Sequence, residues 1–320
     1  MIKENRYLIF DRPINEFRYL IKKTASLVMT PYYKLLLNFI HPRNKKEKKF
    51  YVSICAIFRD EGKYLKEWIE FHKIVGIDHF YLYNNFSEDE YEEILTPYIN
   101  NGEVTLIDWP IPQGQMEAYK DCVERFGSET QWIAFIDLDE YIIPNKMDTV
   151  REFLMPFEKN RPVVIVYWKY MGSSGIINRD VNGLITEDFI IGWKKYANIG
   201  KYFFNTSYEY DQNYKKNQYM HLMWGKHRRT MLPPVNCFNK ECLYGIHPVP
   251  NEDMPIQINH YVVKSYNEYV EKKSKRGGGV HAEGFHTLDY FWYHDMKCQR
   301  VDYHAYKYLI KLKGKINHHE

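Results

Sequence analysis

Four short apolar runs separated by three helix-periodic segments, all between Phe50 and Tyr141, decide what this chain can fold into. Val52 to Phe58 reads as a strand, broken by Arg59-Asp60-Glu61-Gly62. Leu65, Trp68, Ile69 and Val75 then fall on one face of a helix that Gly76 stops. Asp78 to Tyr83 is a second strand, ending at Asn84-Asn85. Ser87-Glu88-Asp89-Glu90 has the form of a capping box and predicts a helix through Ile99. Glu103 to Ile107 is a third strand, and Met116, Tyr119, Val123 and Phe126 align along a helix over Gln113 to Phe126. The fourth apolar run begins at Trp132 and ends in Asp137, Asp139 and Glu140. Strands that are apolar on both faces and joined by helices form a mainly parallel, doubly wound α/β sheet.

In such a sheet ligands sit outside the carboxyl ends of the strands. Arg59–Glu61, Asn84–Asn85 and Asp137–Glu140 are polar ends on apolar strands, and all of them are expected to meet along that edge. Three carboxylates this close repel one another unless a cation or a shared proton offsets their charge. Asp137 and Asp139, two apart, project to one side of an extended chain. That suits Mg²⁺ or Mn²⁺, held by a few carboxylates with the remaining positions left for phosphate oxygens. A polar strand-to-turn junction that solvates its acids is the plainer alternative. No G-x-G-x-x-G follows the first strand and no P-loop occurs anywhere, which disfavours a dinucleotide enzyme and a P-loop NTPase.

The rest of the chain is less regular. From about residue 160 it has one clear strand, Val163 to Trp168, and long loops rich in Tyr, Asn and Gly, so an irregular α+β part is expected to complete the domain. A net charge of +3 over 320 residues is too small to argue for nucleic acid. The five cysteines show no CxxC pair and fit free thiols in a reducing compartment, with Cys237–Cys242 the one local disulfide to consider. In residues 1–49, basic side chains (among them Arg18, Lys22, Lys23 and Lys34) interleave with apolar ones. Ala25 to Ile40 is apolar, yet it is interrupted by Pro31 and Lys34 and is shorter than the roughly 20 residues of a membrane span. No small-residue cleavage site follows it. The expectation is a cytoplasmic protein whose basic amphipathic segment contacts the inner face of a membrane, or else packs on the domain. Residues 301–320 read as a closing helix or tail.

The motifs also resemble a known family. Cys55-Ala-Ile-Phe-Arg-Asp-Glu-Gly62, Glu67-Trp-Ile-Glu-Phe-His72, Gly76-Ile-Asp-His-Phe-Tyr-Leu-Tyr-Asn-Asn85, Gln115 and Phe135-Ile-Asp-Leu-Asp-Glu-Tyr141 resemble glycosyltransferase family 92 and its bacterial relatives, near family 2. Tyr170-Met-Gly-Ser-Ser-Gly175, Gly183-Leu-Ile-Thr-Glu-Asp-Phe189 and Asn259-His-Tyr-Val-Val-Lys-Ser265 continue the likeness in order. It covers residues 50–300 and leaves out 1–49.

The resemblance implies a GT-A fold, a UDP-sugar donor such as UDP-galactose, Mn²⁺ or Mg²⁺, and inversion at the anomeric carbon. It implies a saccharide or lipid-linked glycan acceptor, as in capsule or lipopolysaccharide synthesis. Asp139 would bind the metal, Asp137 the metal or the ribose, and His260 the metal or the diphosphate. Lys264 would follow His260 by one helical turn, if a helix starts at Val262, and balance the diphosphate. Arg59, Asp60, Glu61, Asn84, Asn85, Gln115 and Ser174 would line the donor, with Asp60 also a candidate N-cap. Glu187 is the first choice for the base and Asp188 the second. Family members commonly carry Glu followed by Arg here, so Asp188 departs from the pattern. Glu187 could instead pair with Lys194 or Lys195, and Glu283 is a more distant candidate. Lys272, Lys275 and Arg276, before Gly277–Gly279, suggest either a lid or a solvated helix end. Two other classes stay open: a metal-dependent hydrolase of phosphoesters or sugar nucleotides drawing on His281, His286 and His294, and a non-catalytic carbohydrate-binding protein.

Overall fold

In the computed structural model the described residues are 7–10, 14–42, 47–180, 182–210, 223–273 and 286–317. The side chain of Lys272 and residues Lys275, Arg276, Gly277–Gly279, His281 and Glu283 lie outside them. The chain starts with a two-residue strand, β1 (Leu8–Ile9), and a long helix, α1 (Glu16–Phe39). The expected alternation follows: β2 (Phe50–Phe58), α2 (Gly62–Ile74), β3 (His79–Asn84), α3 (Tyr91–Asn100), β4 (Val104–Asp108), α4 (Gln115–Phe126) and β5 (Thr130–Phe135). The four strands lie in the order β4-β3-β2-β5 and are parallel throughout. Ile54 stands opposite Phe80 on one side and Ala134 on the other. All three are buried, which is why these runs carry no polar alternation. Gly76 ends α2 with φ +93, a left-handed conformation that glycine adopts without steric cost.

After β5 the chain makes a tight turn and continues as β6 (Glu140–Pro144), α5 (Val150–Leu154) and β7 (Val163–Tyr170). Then come α6 (Ile185–Asp188), β8 (Ile191–Trp193), β9 (Tyr196–Ala197) and β10 (Gly200–Asn205). β11 (Glu209–Tyr210), β12 (Gly225–His227) and β13 (Thr230–Leu232) form a small separate sheet. β14 (Val235–Asn236), β15 (Ile256–His260), α7 (Tyr266–Glu268), α8 (Leu288–Asp295), β16 (Cys298–Val301) and α9 (Tyr306–Asn317) complete the chain. The main sheet runs β4-β3-β2-β5-β10-β7-β15-β6, with β14 beside β7. β10 is antiparallel to both its neighbours and β6 is antiparallel to β15. This is the expected GT-A arrangement: a parallel half followed by a mixed half in one continuous sheet. Outside the main sheet, β1 pairs with β9 and β8 with β16. α9 buries Tyr308, Leu309 and Leu312, and Tyr308 packs edge-on against Phe71 of α2.

One local expectation changes, and the free thiols hold. Ser87 does not cap a helix, because α3 begins at Tyr91 with no side-chain cap. The Ser87 hydroxyl instead accepts from the Asp60 N–H and its own N–H donates to Asn84, so the polar residues of the box tie two strand ends together. All five cysteines are free thiols, including Cys237 and Cys242. Asn205, which begins an Asn-x-Ser sequon, is fully buried and donates to the carbonyls of Glu158 and Arg161, so a glycan has no access to it in the fold.

Candidate functional site

The turn after β5 sorts the three acids. The Glu140 N–H donates to the Asp137 carbonyl (3.1 Å), and the Asp137 N–H donates to Glu140 Oε2 (3.1 Å). Leu138 between them is buried. The chain is therefore not extended here, and the even spacing of Asp137 and Asp139 no longer puts them on one side. Asp137 is held by Gln115 Nε2 (2.7 Å), the Tyr119 hydroxyl (3.3 Å) and Lys201 Nζ (2.8 Å). Asp139 and Glu140 instead join His260, with ligand atoms of all three within 4.8 Å of one another. β15 brings the histidine back: His260 stands opposite Glu140 on one side and Tyr170 on the other, and its Nε2 lies 3.4 Å from Asp139.

The electrostatics of this trio favour a cation. Glu140 is fully buried, and its Oε1 has no hydrogen-bond partner. His260 Nδ1 is likewise buried without one. Burial pushes the Glu140 carboxyl well above the usual range; Lys201 opposes this, while Asp137 and Asp139 add to it. Burial works against charge on Lys201 too, but Asp137 and Glu140 outweigh it and hold the ammonium on. Each unsatisfied buried polar atom costs about 1–3 kcal/mol. Two carboxylates and one imidazole form a donor set that suits Mn²⁺, so Asp139, Glu140 and His260 fit a divalent ion.

The Glu67–His72 motif positions these residues from behind. Trp68 Nε1 donates to the Glu140 carbonyl (2.9 Å). His72 Nε2 accepts the Ile142 N–H (3.2 Å) and Nδ1 faces the Trp68 carbonyl (2.8 Å), which assigns the proton to Nδ1. Burial lowers the His72 pKa to about 3. Glu67, also buried, accepts the N–H groups of Ile185 (2.7 Å) and Thr186 (3.0 Å) and the Thr186 hydroxyl (2.9 Å). It thereby closes the start of α6, the helix that carries the two base candidates.

Those candidates point to different partners. Glu187 is ion-paired with Lys313 of α9 at 2.5 Å, and its carbonyl accepts from the Tyr306 hydroxyl. Asp188 lies 3.8 Å from Arg179, and burial raises its pKa, with Arg179 opposing. Arg179 also donates to the Gly183 carbonyl (2.7 Å) and meets Glu268 at 3.4 Å. Burial pushes Glu268 up, but Ser265, Arg179, Tyr64 and Lys63 outweigh it and hold the carboxyl at about 2. Lys264 is not on a helix with His260: its φ is +53, and α7 starts only after Ser265, which caps it. The Lys264 ammonium sits 3.6 Å above the Tyr64 ring instead.

The remaining sequence-named residues mostly shape loops. Asn84 donates to the Tyr91 hydroxyl, and Asn85 to the carbonyls of Trp109 and Ile111. Asp60 accepts the Glu88 N–H and is not the N-cap of α2; Glu61 holds that position with no side-chain capping bond, and Asp89 takes the Gly62 N–H. Arg59 is half-exposed beside Asp60. Ser174 Oγ accepts the N–H groups of Ile190 and Ile191. Sequence reasoning missed Lys201, Glu67, Arg179 and Glu268. A lysine inside the apolar stretch Gly200–Asn205 was a readable signal for the first.

The whole motif set finds its match among known proteins. The model of glycosyltransferase family 92 matches residues 48–297. The chain belongs to glycosyltransferase family 92. Among similar family 92 proteins, one from Ricinus communis is 29% identical over 38% of this chain and 22% of its own length. A β-1,4-galactosyltransferase of Caenorhabditis elegans is 31% identical over 31% of this chain and 26% of its own. A galactan β-1,4-galactosyltransferase of Arabidopsis thaliana is 27% identical over 38% and 26%. The matched stretches thus span about a quarter of these relatives, 22% to 26% of their length. Among solved structures, TarS residues 1–349 of Staphylococcus aureus in complex with UDP aligns at 12% identity and a TM-score of 0.36, over 58% of this chain and 60% of that one. That likeness is too slight to bear on function.

Proposed function

We propose that this family 92 protein transfers a sugar, with inversion, from a UDP-sugar to a hydroxyl of a glycan or lipid-linked saccharide. The observation that carries the reading is the trio Asp139, Glu140 and His260 at the carboxyl edge of the parallel strands, with two buried polar atoms lacking partners. A divalent cation bound there would offset the charge that develops on the departing diphosphate. Lys201 lies 2.8 Å from Asp137 and 3.7 Å from Glu140 and opposes the burial that disfavours charge on Glu140, while Gln115 holds Asp137 in place.

Asp188 is the proton acceptor in this reading. Its Oδ2 is buried without a hydrogen bond, burial raises its proton affinity, and Arg179 holds it at 3.8 Å. The acceptor oxygen bonds to the anomeric carbon as the carbon–phosphate oxygen bond breaks; the hydroxyl proton passes to Asp188 and UDP leaves. Glu187, paired with Lys313, anchors α6. Galactose is the first sugar to test, because two of the relatives carry galactosyltransferase names. A two-metal hydrolase would use a second group of ligating side chains, and none occurs among the described residues.

The test is thermal stabilisation by UDP, GDP and CMP, each with and without Mn²⁺, followed by hydrolysis of a panel of UDP-sugars by the wild type and Asp139→Ala. Stabilisation by UDP that requires Mn²⁺, and hydrolysis lost in Asp139→Ala, are expected. The absence of any nucleotide response would sink the reading.

A further inference from the structure

α1 has two apolar faces, and the fold uses one of them. Ser26 and Leu37 are buried, Tyr19 packs against Phe10, and Tyr33 packs against Trp224. On the opposite side Phe17, Leu20, Ile21, Leu27, Val28, Tyr32, Leu35 and Phe39 are exposed, with Phe17 at 73%, Val28 at 70% and Phe39 at 75%. At 3.6 residues per turn they share one stripe roughly 140° wide, which runs the length of a helix about 36 Å long. Basic residues border it on both sides, Arg18 and Lys22 along one edge and Lys23 and Lys34 along the other. Glu16 is the only acid in the helix. No helix among the described residues is long and apolar enough to cross a membrane.

We infer that α1 lies in the plane of an anionic lipid surface, with this stripe sunk among the headgroups. An apolar band edged by cations is complementary to such a surface: aromatic and aliphatic side chains enter the acyl boundary while lysine and arginine heads stay at the phosphates. A second copy of the chain fits less well. Two such stripes laid face to face would bring the basic edges of one against those of the other. The inference does not depend on the proposed transferase chemistry, but it would put that chemistry at a membrane, where a lipid-linked acceptor is held.

The experiment is sedimentation of the full chain with vesicles of phosphatidylcholine alone, or mixed with phosphatidylglycerol, at low and high salt. The wild type is expected to bind the anionic vesicles and to be released by salt. Phe17→Glu/Val28→Glu/Phe39→Glu changes only exposed positions and is expected to lower partitioning by about a hundredfold or more. Arg18→Gln/Lys22→Gln/Lys34→Gln should lower it by about fivefold per residue at low salt. Unchanged melting temperatures would establish that both variants fold. Wild type that ignores the vesicles, binds neutral ones equally well, or is unaffected by the glutamates overturns the inference. So does light scattering that reveals a dimer dissolved by those same glutamates.

Discussion

Mild acid should weaken this protein through histidines that the fold keeps neutral, and His72 is the one that reaches the site. Burial lowers its pKa to about 3, from an unfolded value near 6.5. The unfolded chain therefore binds a proton between those values that the folded one does not, and stability falls as pH drops through that window. From pH 7 to pH 5 this single group costs about 2 kcal/mol. His79 and His247, each held at about 4 by burial, add similar amounts. The three together remove about 5–6 kcal/mol, a large part of the 5–15 kcal/mol that holds a typical domain. Urea denaturation at pH 7 and pH 5 measures the drop. His72→Gln keeps an acceptor for the Ile142 N–H but cannot titrate. It should lose about 1–3 kcal/mol at pH 7 for the altered bonds, yet fall about 2 kcal/mol less than wild type on going to pH 5. An identical drop in the variant would refute the linkage. Folded His72 stays neutral over that interval and keeps accepting from Ile142, so any loss of donor hydrolysis there should track the unfolded fraction.

Other outcomes follow from single contacts. Lys201→Met leaves Asp137 and Glu140 without their shared cation and should cost about 3–5 kcal/mol; calorimetry should show Mn²⁺ restoring part of the melting temperature, but not when Asp139→Asn is added. Glu67→Gln removes the charged acceptor at the start of α6 and should cost about 1.5–3 kcal/mol. In steady-state kinetics its kcat should fall with donor KM little changed; a raised KM at constant kcat would speak against that positioning role. Gly200→Ala would place a Cβ 1.9 Å from the Val166 carbonyl oxygen, and a thermal melt should show a loss of about 4 kcal/mol or more.

The parallel half of the fold was legible because its signals are local. Val52 to Phe58 is apolar at every position, and the buried stripe Leu65-Trp68-Ile69 repeats at helical spacing, so nothing distant had to be known. The site was legible as a place but not as a geometry. Asp139 and His260 were named from sequence, and the structure brings them together. Glu140 was left without a role, because three acids at a strand end look alike until one hydrogen bond turns the chain. The role of Lys201 was not legible for a different reason: its partner is 64 positions away, across an antiparallel pairing that no periodicity announces. Ser87 misled because its box pattern is real, while its hydroxyl is spent on Asp60 rather than on a helix.

The closing helix α9 carries a consequence for how this protein can be shortened. α6 is gripped from two directions, by Glu67 of α2 at its start and by Tyr306 and Lys313 of α9 along its outer side. A chain cut just before Tyr306 would keep all of residues 48–297 and the whole Asp139–Glu140–His260 trio. It would still lose the bolt that holds one side of α6, and with it the cover over α2. Donor capture and acceptor activation would then come apart, with the first surviving in a truncated chain and the second failing. If Asp188 is the base, donor binding and acceptor deprotonation would thus be separable by the last few turns of helix.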